Sequence, residues 1–484
     1  MKKKYVRWTL WTIASPFILF IILCILIYLP PIQNFLVDKA AVYASEATGM
    51  NISVGRISLS FPLNLVVTNV DAASPHNDTL LSVRRLQVNV QLLPLLKKQV
   101  EVDGISLQGA TVNSNDLIHG MKLNGTLGEL FISSHGVALD PETAIVNKVL
   151  LKDTDLSLCL NDTAAADTAA SDTTYWKIIL QDIDLQNVSF ALDMPLDSLS
   201  LAASLDNAIL RDGLIDLHKS TYSLQTFRIE NGRVRYDNGK PLAADSLSSG
   251  LDPSHIALTD IGVKLDSLYY EGRNMKAIIS QFVLKERSGV EIVSATGRMV
   301  SNDKVLRVPS LKLETRDSYL ELNAAMDWNA LDFKDEGLVS ARLMADIGKP
   351  DVVRFMGSMD EKFIRQYPSE PLRIRTGIDG DLNKLKLTTL TAELPGALGL
   401  FARGELTHLT DSLLRGGDIT LEAETKDLKF VSTLAEGIEI PYGTRLEGKF
   451  TMAGTKMGTD LLLMQPEAQA VVAADTIPIT VYND

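Results

Sequence analysis

The chain has 484 residues, a formal net charge of −13 and 22% charged side chains, enough length for two or three ordinary domains or one long repetitive one. This acidity excludes a nucleic-acid binder and broad adsorption to anionic headgroups, which both require clustered Lys and Arg. Cys24 and Cys159 are the only cysteines, too few for a disulfide framework or a thiolate metal centre.

The first element is an apolar run from Trp8 to Leu29 without a charged side chain, preceded by Lys2, Lys3, Lys4 and Arg7. As a helix it would reach roughly 33 Å, sufficient for a bilayer core of about 30 Å. The positive flank predicts a cytoplasmic amino end and export of everything after it. A cleaved signal peptide would have a shorter apolar core with a small-x-small site just beyond it, whereas Pro30 and Pro31 follow here. Residues 1–30 thus read as a cytoplasmic tail and single-pass signal anchor, with Trp8, Trp11, Phe17, Phe20 and Leu29 as membrane-facing positions.

Residues 31–50 read as an amphipathic helix, with Ile32, Phe35, Leu36, Ala40, Tyr43 and Ala47 on one face and Gly49 in the cap position. From Asn51 the apolar period changes to two, as in Ile57, Leu59, Phe61 and in Leu86, Val88, Val90, and later in Ile183, Leu185 and Leu311, Leu313. The phase slips repeatedly at Asn, Asp, Gly or Ser, as at Asn231-Gly232, Asp237-Asn238-Gly239, Ser288-Gly289 and Ser301-Asn302-Asp303, which predicts hairpin turns and bulges. An ordinary sandwich needs about seven to nine strands; this pattern continues far beyond that.

So many strands cannot form one flat open sheet, because twist and unpaired edges oppose it. A membrane barrel would need longer segments and aromatic girdles, and aromatics are 6% of the chain. The expected fold is mainly β: a transmembrane helix followed by a long curled antiparallel sheet, an open trough, with a few short helices. Its first part covers 51–160 and its continuation 176–484. A low-complexity loop, 161–175, separates them and contains NDTAAADTAASDTT. Two stretches break the strand rhythm, Asp351 to Gln366 and, more weakly, Lys426 to Glu436. Both are read as helices covering a sheet edge or end.

Chemistry is sparse. His76, His119, His135, His218, His255 and His408 show no metal-ligand spacing and are read as turn or surface residues, and no nucleophile-elbow, zincin, Walker or dinucleotide motif occurs. Gly125-Thr-Leu-Gly128 and Gly396-Ala-Leu-Gly399 are read as strand interruptions. Asp153 with Asp155, and Asp182 with Asp184, could place paired carboxylates on one side of a strand, but neither pair has the Gly-turn loop of a calcium site. No catalytic residue, metal or cofactor is assigned, and no enzymatic activity is expected. What remains is an apolar face repeated strand after strand. Closed against another layer it is only core; left partly open it is a groove in which acyl chains gain about 0.8 kcal/mol per methylene. Periodicity leaves both readings standing.

The anchor, Thr48-Gly49, NISVGRISLSFPLNLVVTNVDA over 51–72 and NDTLLSVRRLQVNVQLLPLL over 77–96 resemble the amino-terminal part of the TamB family of the AsmA-like superfamily. SGVEIVSATGRMV over 288–300 and LKLETRDSYLEL over 311–322 are similar to the same family. The resemblance implies an inner-membrane-anchored periplasmic protein whose β-taco carries phospholipid between the two membranes in outer-envelope biogenesis. It also implies an outer-membrane barrel partner of the TamA or BamA class. In the matching runs Leu86, Val88, Val90, Leu311, Leu313, Leu320 and Leu322 become groove-lining candidates. The alternative is a non-enzymatic scaffold in outer-membrane protein assembly or secretion. Family members are usually longer and finish in a characteristic carboxy-terminal domain, while this sequence stops at Asp484.

Overall fold

The computed structural model describes the chain except for residues 1–38, 40, 43–44, 47–48, 61–63, 75–78, 92–101, 115–119, 139–141, 162–174, 241–249, 335–336, 357–360, 434–441, 465–471, 474–478 and 481–484. The anchor positions Trp8, Trp11, Phe17, Phe20 and Leu29 lie outside the described residues. Among those described, no helix is long and apolar enough to cross a membrane. Of the helix expected over 31–50, residues 39, 41, 42, 45 and 46 are described and helical. Gly49 follows at φ +69, its N–H on the Ser45 carbonyl at 2.9 Å, as a left-handed glycine cap requires.

The chain divides into two compact units, residues 1–218 and 219–484, and both are mainly β. The first contains β1 (Asn51–Ser60), β2 (Asn64–Ala73), β3 (Thr79–Val90), β4 (Val102–Asn113), β5 (Met121–Ala138), β6 (Thr143–Leu160), β7 (Lys177–Met194) and β8 (Leu199–Asp216). Each pairs with the next. All pairs are antiparallel except β6–β7, which is parallel, with Thr143 opposite Lys177 and Cys159 opposite Asp193. This corrects the wholly antiparallel expectation. A hairpin turn can join only antiparallel neighbours, and the low-complexity stretch is long enough to bring the chain back to the start of β6.

The second unit contains β9 (Thr221–Leu224), β10 (Thr226–Asp237), β11 (His255–Glu271), β12 (Asn274–Glu286), β13 (Glu291–Ser301), β14 (Val305–Thr315) and β15 (Tyr319–Asp327). After these come β16 (Leu338–Ile347), β17 (Leu372–Asp381), β18 (Lys384–Leu394), β19 (Leu398–Thr407), β20 (Gly416–Thr425), β21 (Arg445–Ala453) and β22 (Lys456–Met464). From β10 to β22 each pairs antiparallel with its successor, and β9 also pairs with β11. Two short strands, Val472–Ala473 and Ile479–Thr480, add to β22.

The phase slips are structural. In the first unit one row of them crosses every strand: Gly55, Asn69, Arg84, Gly109, Gly128, Asp153, Asn187 and Asp206 stand opposite one another, and the ladder pairing is interrupted at each. Asn69, Gly109, Asp153 and Asn187 adopt left-handed φ values of +51, +62, +50 and +52. One left-handed residue interrupts the alternation, so apolar positions spaced by three, such as Leu107 and Ala110 or Leu185 and Val188, stay on the covered side. Asn, Asp and Gly are the residues that tolerate this conformation. Gly128 is further required by space, since a Cβ there would lie 2.8 Å from the Asp153 Cβ.

The sequence punctuation of the second unit follows the same chemistry. Asn231, at φ +53, marks a bulge between Ile229 and Gly232, and Gly289, at φ +93, turns β12 into β13. The Asn302 side-chain oxygen accepts from the N–H groups of Lys304 and Val305 at 2.9 and 3.0 Å. Gly396, at φ +81, belongs to the β18–β19 turn rather than interrupting a strand.

The buried core of this unit lies at the strand ends. At one end α1 (Trp328–Leu331) brings Ala330 onto Val339 and Leu382. At the other, α2 (Lys349–Phe355), α3 (Glu361–Gln366) and a 3-10 turn over Lys429–Thr433 take the places expected of the two helical stretches. Phe363, Tyr367, Leu394, Ala397, Leu428 and Phe430 pack together there, with ring centroids 5.2–5.8 Å apart, separations typical of tilted and edge-to-face aromatic contacts. Helix α1 has only four residues, too few for an apolar period to reveal it.

Candidate functional site

Cross-strand register turns the alternating pattern into continuous apolar rows. In the first unit one row runs Ile57, Val67, Leu86, Leu107, Leu130, Leu151, Leu185, Ala208. The next runs Leu59, Leu65, Val88, Ile105, Ile132, Val149, Ile183, Leu210. Both rows pass through the parallel pair without a break, because its register keeps like faces opposite. In the second unit one row runs Leu313, Leu320, Ala345, Ile374, Ala392, Leu400, Ala423, Leu446. Its neighbour contains Leu311, Leu322, Leu343, Thr376, Leu390, Ala402, Leu421 and Gly448.

The sequence candidates fall on these rows. Leu311 faces Leu322 directly and Leu313 faces Leu320, while Leu86 and Val88 sit in adjacent rows of the first unit. Val90 pairs with Val102 after a register shift. All seven are half-buried, and so are most large aliphatic members of the rows. A sandwich core would bury them fully, so intermediate coverage leaves this apolar surface partly open. The fully buried members of the two second-unit rows are small, Ala345 and Ala402. The opposite face is charged: Lys449 meets Asp418 at 2.7 Å, Arg375 meets Asp346 at 2.7 Å and Lys384 meets Glu405 at 3.1 Å.

The paired aspartates do not form ion sites. Asp153 accepts from Asn187 at 2.9 Å and Asp155 from the Ser189 hydroxyl at 2.6 Å. Asp182 is bonded to Arg211, and Asp184 accepts from Gln186 at 3.3 Å. Among the described residues no group of three or more His, Cys, Asp or Glu could hold a metal ion.

Two polar centres were hidden from sequence reading. His255, expected at the surface, is buried: its Nδ1 lies 2.8 Å from Asp252 and its Nε2 3.6 Å from Asp237, the residue opposite it in the ladder. The hydrogen bond to His255, reinforced by the Ser254 N–H, holds the Asp252 carboxyl below its ordinary value. Asp351, 1% exposed, accepts from the hydroxyls of Thr315 and Ser318 and from Arg354 at 3.1 Å, and Arg354 also reaches Asp317 at 2.8 Å. This set pins α2 to the β14–β15 turn. Both satisfy their polar groups internally, as structural networks do, and the Asp351 set lies at the end of the sheet face that carries Leu313 and Leu320, two residues from each. The only signal in sequence was local, Asp three residues before His255 and before Arg354.

No protein-family model matches the sequence, and no curated protein matches it.

Proposed function

We propose that the chain is a non-enzymatic lipid carrier of the bacterial envelope, in which the apolar sheet faces form open troughs that hold phospholipid acyl chains while headgroups stay in solvent. In this reading the segment Trp8–Leu29 anchors it in the inner membrane, the remainder is periplasmic, and lipid moves toward the outer membrane as the TamB resemblance implies. An outer-membrane barrel of the TamA or BamA class is the proposed partner. The carrying observation is the pair of predominantly apolar rows in each unit, continuous in register across successive strands and half-buried at most of their large aliphatic members. Rows of this kind suit a linear ligand, since each methylene moved from water onto them contributes about 0.8 kcal/mol wherever it lies along the row.

Photo-crosslinkers provide the test. At Val88 and Leu313 they are expected to trap phospholipid in intact cells, and at Asn89 and Lys312, one residue out of phase, they are not. Equal labelling at both phases refutes the proposal. Gentle extraction and washing are expected to leave phospholipid bound in stoichiometric amount.

A further inference from the structure

The turns at one end of the second unit's strands carry exposed large apolar side chains. In the β15–β16 connection Phe333 is 72% exposed and Leu331 45%; in the β19–β20 connection Leu413 is 81% exposed and Leu414 64%. Backbone hydrogen bonds hold Phe333 and the Leu413–Leu414 turn in place. Phe333 takes the left-handed conformation, φ +55, which costs a bulky residue strain, and its N–H bonds the carbonyl of Ala330, itself buried against Val339 and Leu382. Asp411 turns its carboxylate onto the N–H groups of Leu413 and Leu414 at 2.8 and 3.2 Å, and Arg415 ties the loop to Gly454 of the next turn at 2.6 Å.

We propose that these two tips seat this end of the sheet on a phospholipid bilayer. The tips are four strands apart, about 19 Å at the usual strand spacing, and the turn between them keeps its own Leu382 buried. A rigid protein partner would need two separate matching pockets; the fluid acyl region accepts both projections independently. Charge favours the same occupant. Asp332 is held by Arg273 and Lys334 at 3.1 and 3.5 Å, two cations on one carboxylate, with those side chains 46% and 64% exposed. Three acidic groups at this end are turned onto backbone N–H donors, Asp411 as above, Asp381 onto Asn383 and Lys384, and Asp327 onto Leu338. The chain's overall acidity opposes broad electrostatic adsorption, so the apolar tips carry the attachment and the flanking cations meet headgroups. This seat stands independently of whether the apolar rows carry lipid.

The test uses the full chain reconstituted in phosphatidylethanolamine–phosphatidylglycerol vesicles whose acyl chains are brominated. A fluorophore at position 414 is expected to be quenched at least twofold more than one at 288, in the turns at the opposite strand ends. Phe333→Asp combined with Leu413→Asp, both on exposed side chains, is expected to reduce the quenching at 414 to the level at 288 while the thermal midpoint is retained. Equal quenching at 414 and 288, or quenching unchanged by the two aspartates, overturns the proposal. Energy transfer between copies labelled at 414 without lipid quenching also overturns it, in favour of self-association. A fluorophore at 313 reports separately on the trough, so the two readings can fail independently.

Discussion

Asn187 donates its side-chain N–H to the Asp153 carboxylate at 2.9 Å across the parallel β6–β7 pair, and both residues stand in the left-handed conformation. The pair belongs to the row at which the first sheet shifts its alternation. Replacing Asn187 with Val forces a β-branched residue into that conformation and removes the hydrogen bond, an expected loss of about 1–3 kcal/mol. Asn187→Gly keeps the backbone and should cost less. Urea midpoints of the two variants check the order; a valine variant as stable as wild type refutes the backbone argument.

Connectivity makes the low-complexity stretch a length requirement. Cys159 lies opposite Asp193 and Thr143 opposite Lys177, so the chain leaving β6 must return along that strand, roughly 55 Å. Residues 161–176 reach about 55–60 Å when fully extended. Deleting 163–170 is therefore expected to abolish cross-linking between cysteines placed at Val149 and Ile183, which face each other in the register. Replacing the same residues one for one with Gly and Ser is expected to retain it.

Asp351 is the most buried charged side chain among the described residues, and its bonds to Thr315 and Ser318 hold α2 against the β14–β15 turn. Asp351→Ala strands two hydroxyls and takes one of the two carboxylates from Arg354, an expected cost of about 2–4 kcal/mol. Hydrogen exchange over 349–366 is expected to accelerate first, while exchange in β3 and β4 of the other unit stays at wild-type rates.

Acid should loosen the β10–β11 junction. Because the folded state holds the Asp252 carboxyl below its ordinary value through His255 and the Ser254 N–H, the unfolded state binds the proton more readily. The stabilisation is thus complete above the ordinary carboxyl range, about pH 4, and is lost as pH falls through the lower folded value. Amide protection over 250–257 is expected to fall in that window, and Asp252→Asn is expected to remove this pH dependence.

Phe363 is 2% exposed at the centre of the aromatic cluster that covers the strand ends. Phe363→Ala is expected to cost about 3–5 kcal/mol and to release α3, whereas Phe363→Leu retains much of the packing. Limited proteolysis near 361–366 separates the two outcomes.

Much of this architecture was legible in sequence because a strand's side chains alternate whatever lies beyond it. Val88 beside Asn89 and Leu313 beside Lys312 assign a covered and an open face without knowledge of the neighbouring strand, and Asn231-Gly232 or Ser301-Asn302-Asp303 mark irregularity by backbone preference alone. Those signals are local. Which strand lies beside which, and in which direction, is a long-range choice: nothing between Asn161 and Thr174 distinguishes a wide hairpin from the crossover that makes β6 and β7 parallel. The alignment of Asn69, Gly109, Asp153 and Asn187 into one row, the joining of Leu313 to Leu320 and Ala345, and the burial of His255 between Asp252 and Asp237 likewise exist only once register is set. Composition and periodicity determined a β chain with one apolar face; tertiary pairing alone decided that the face is continuous, because continuity is a property of neighbours and not of any single strand.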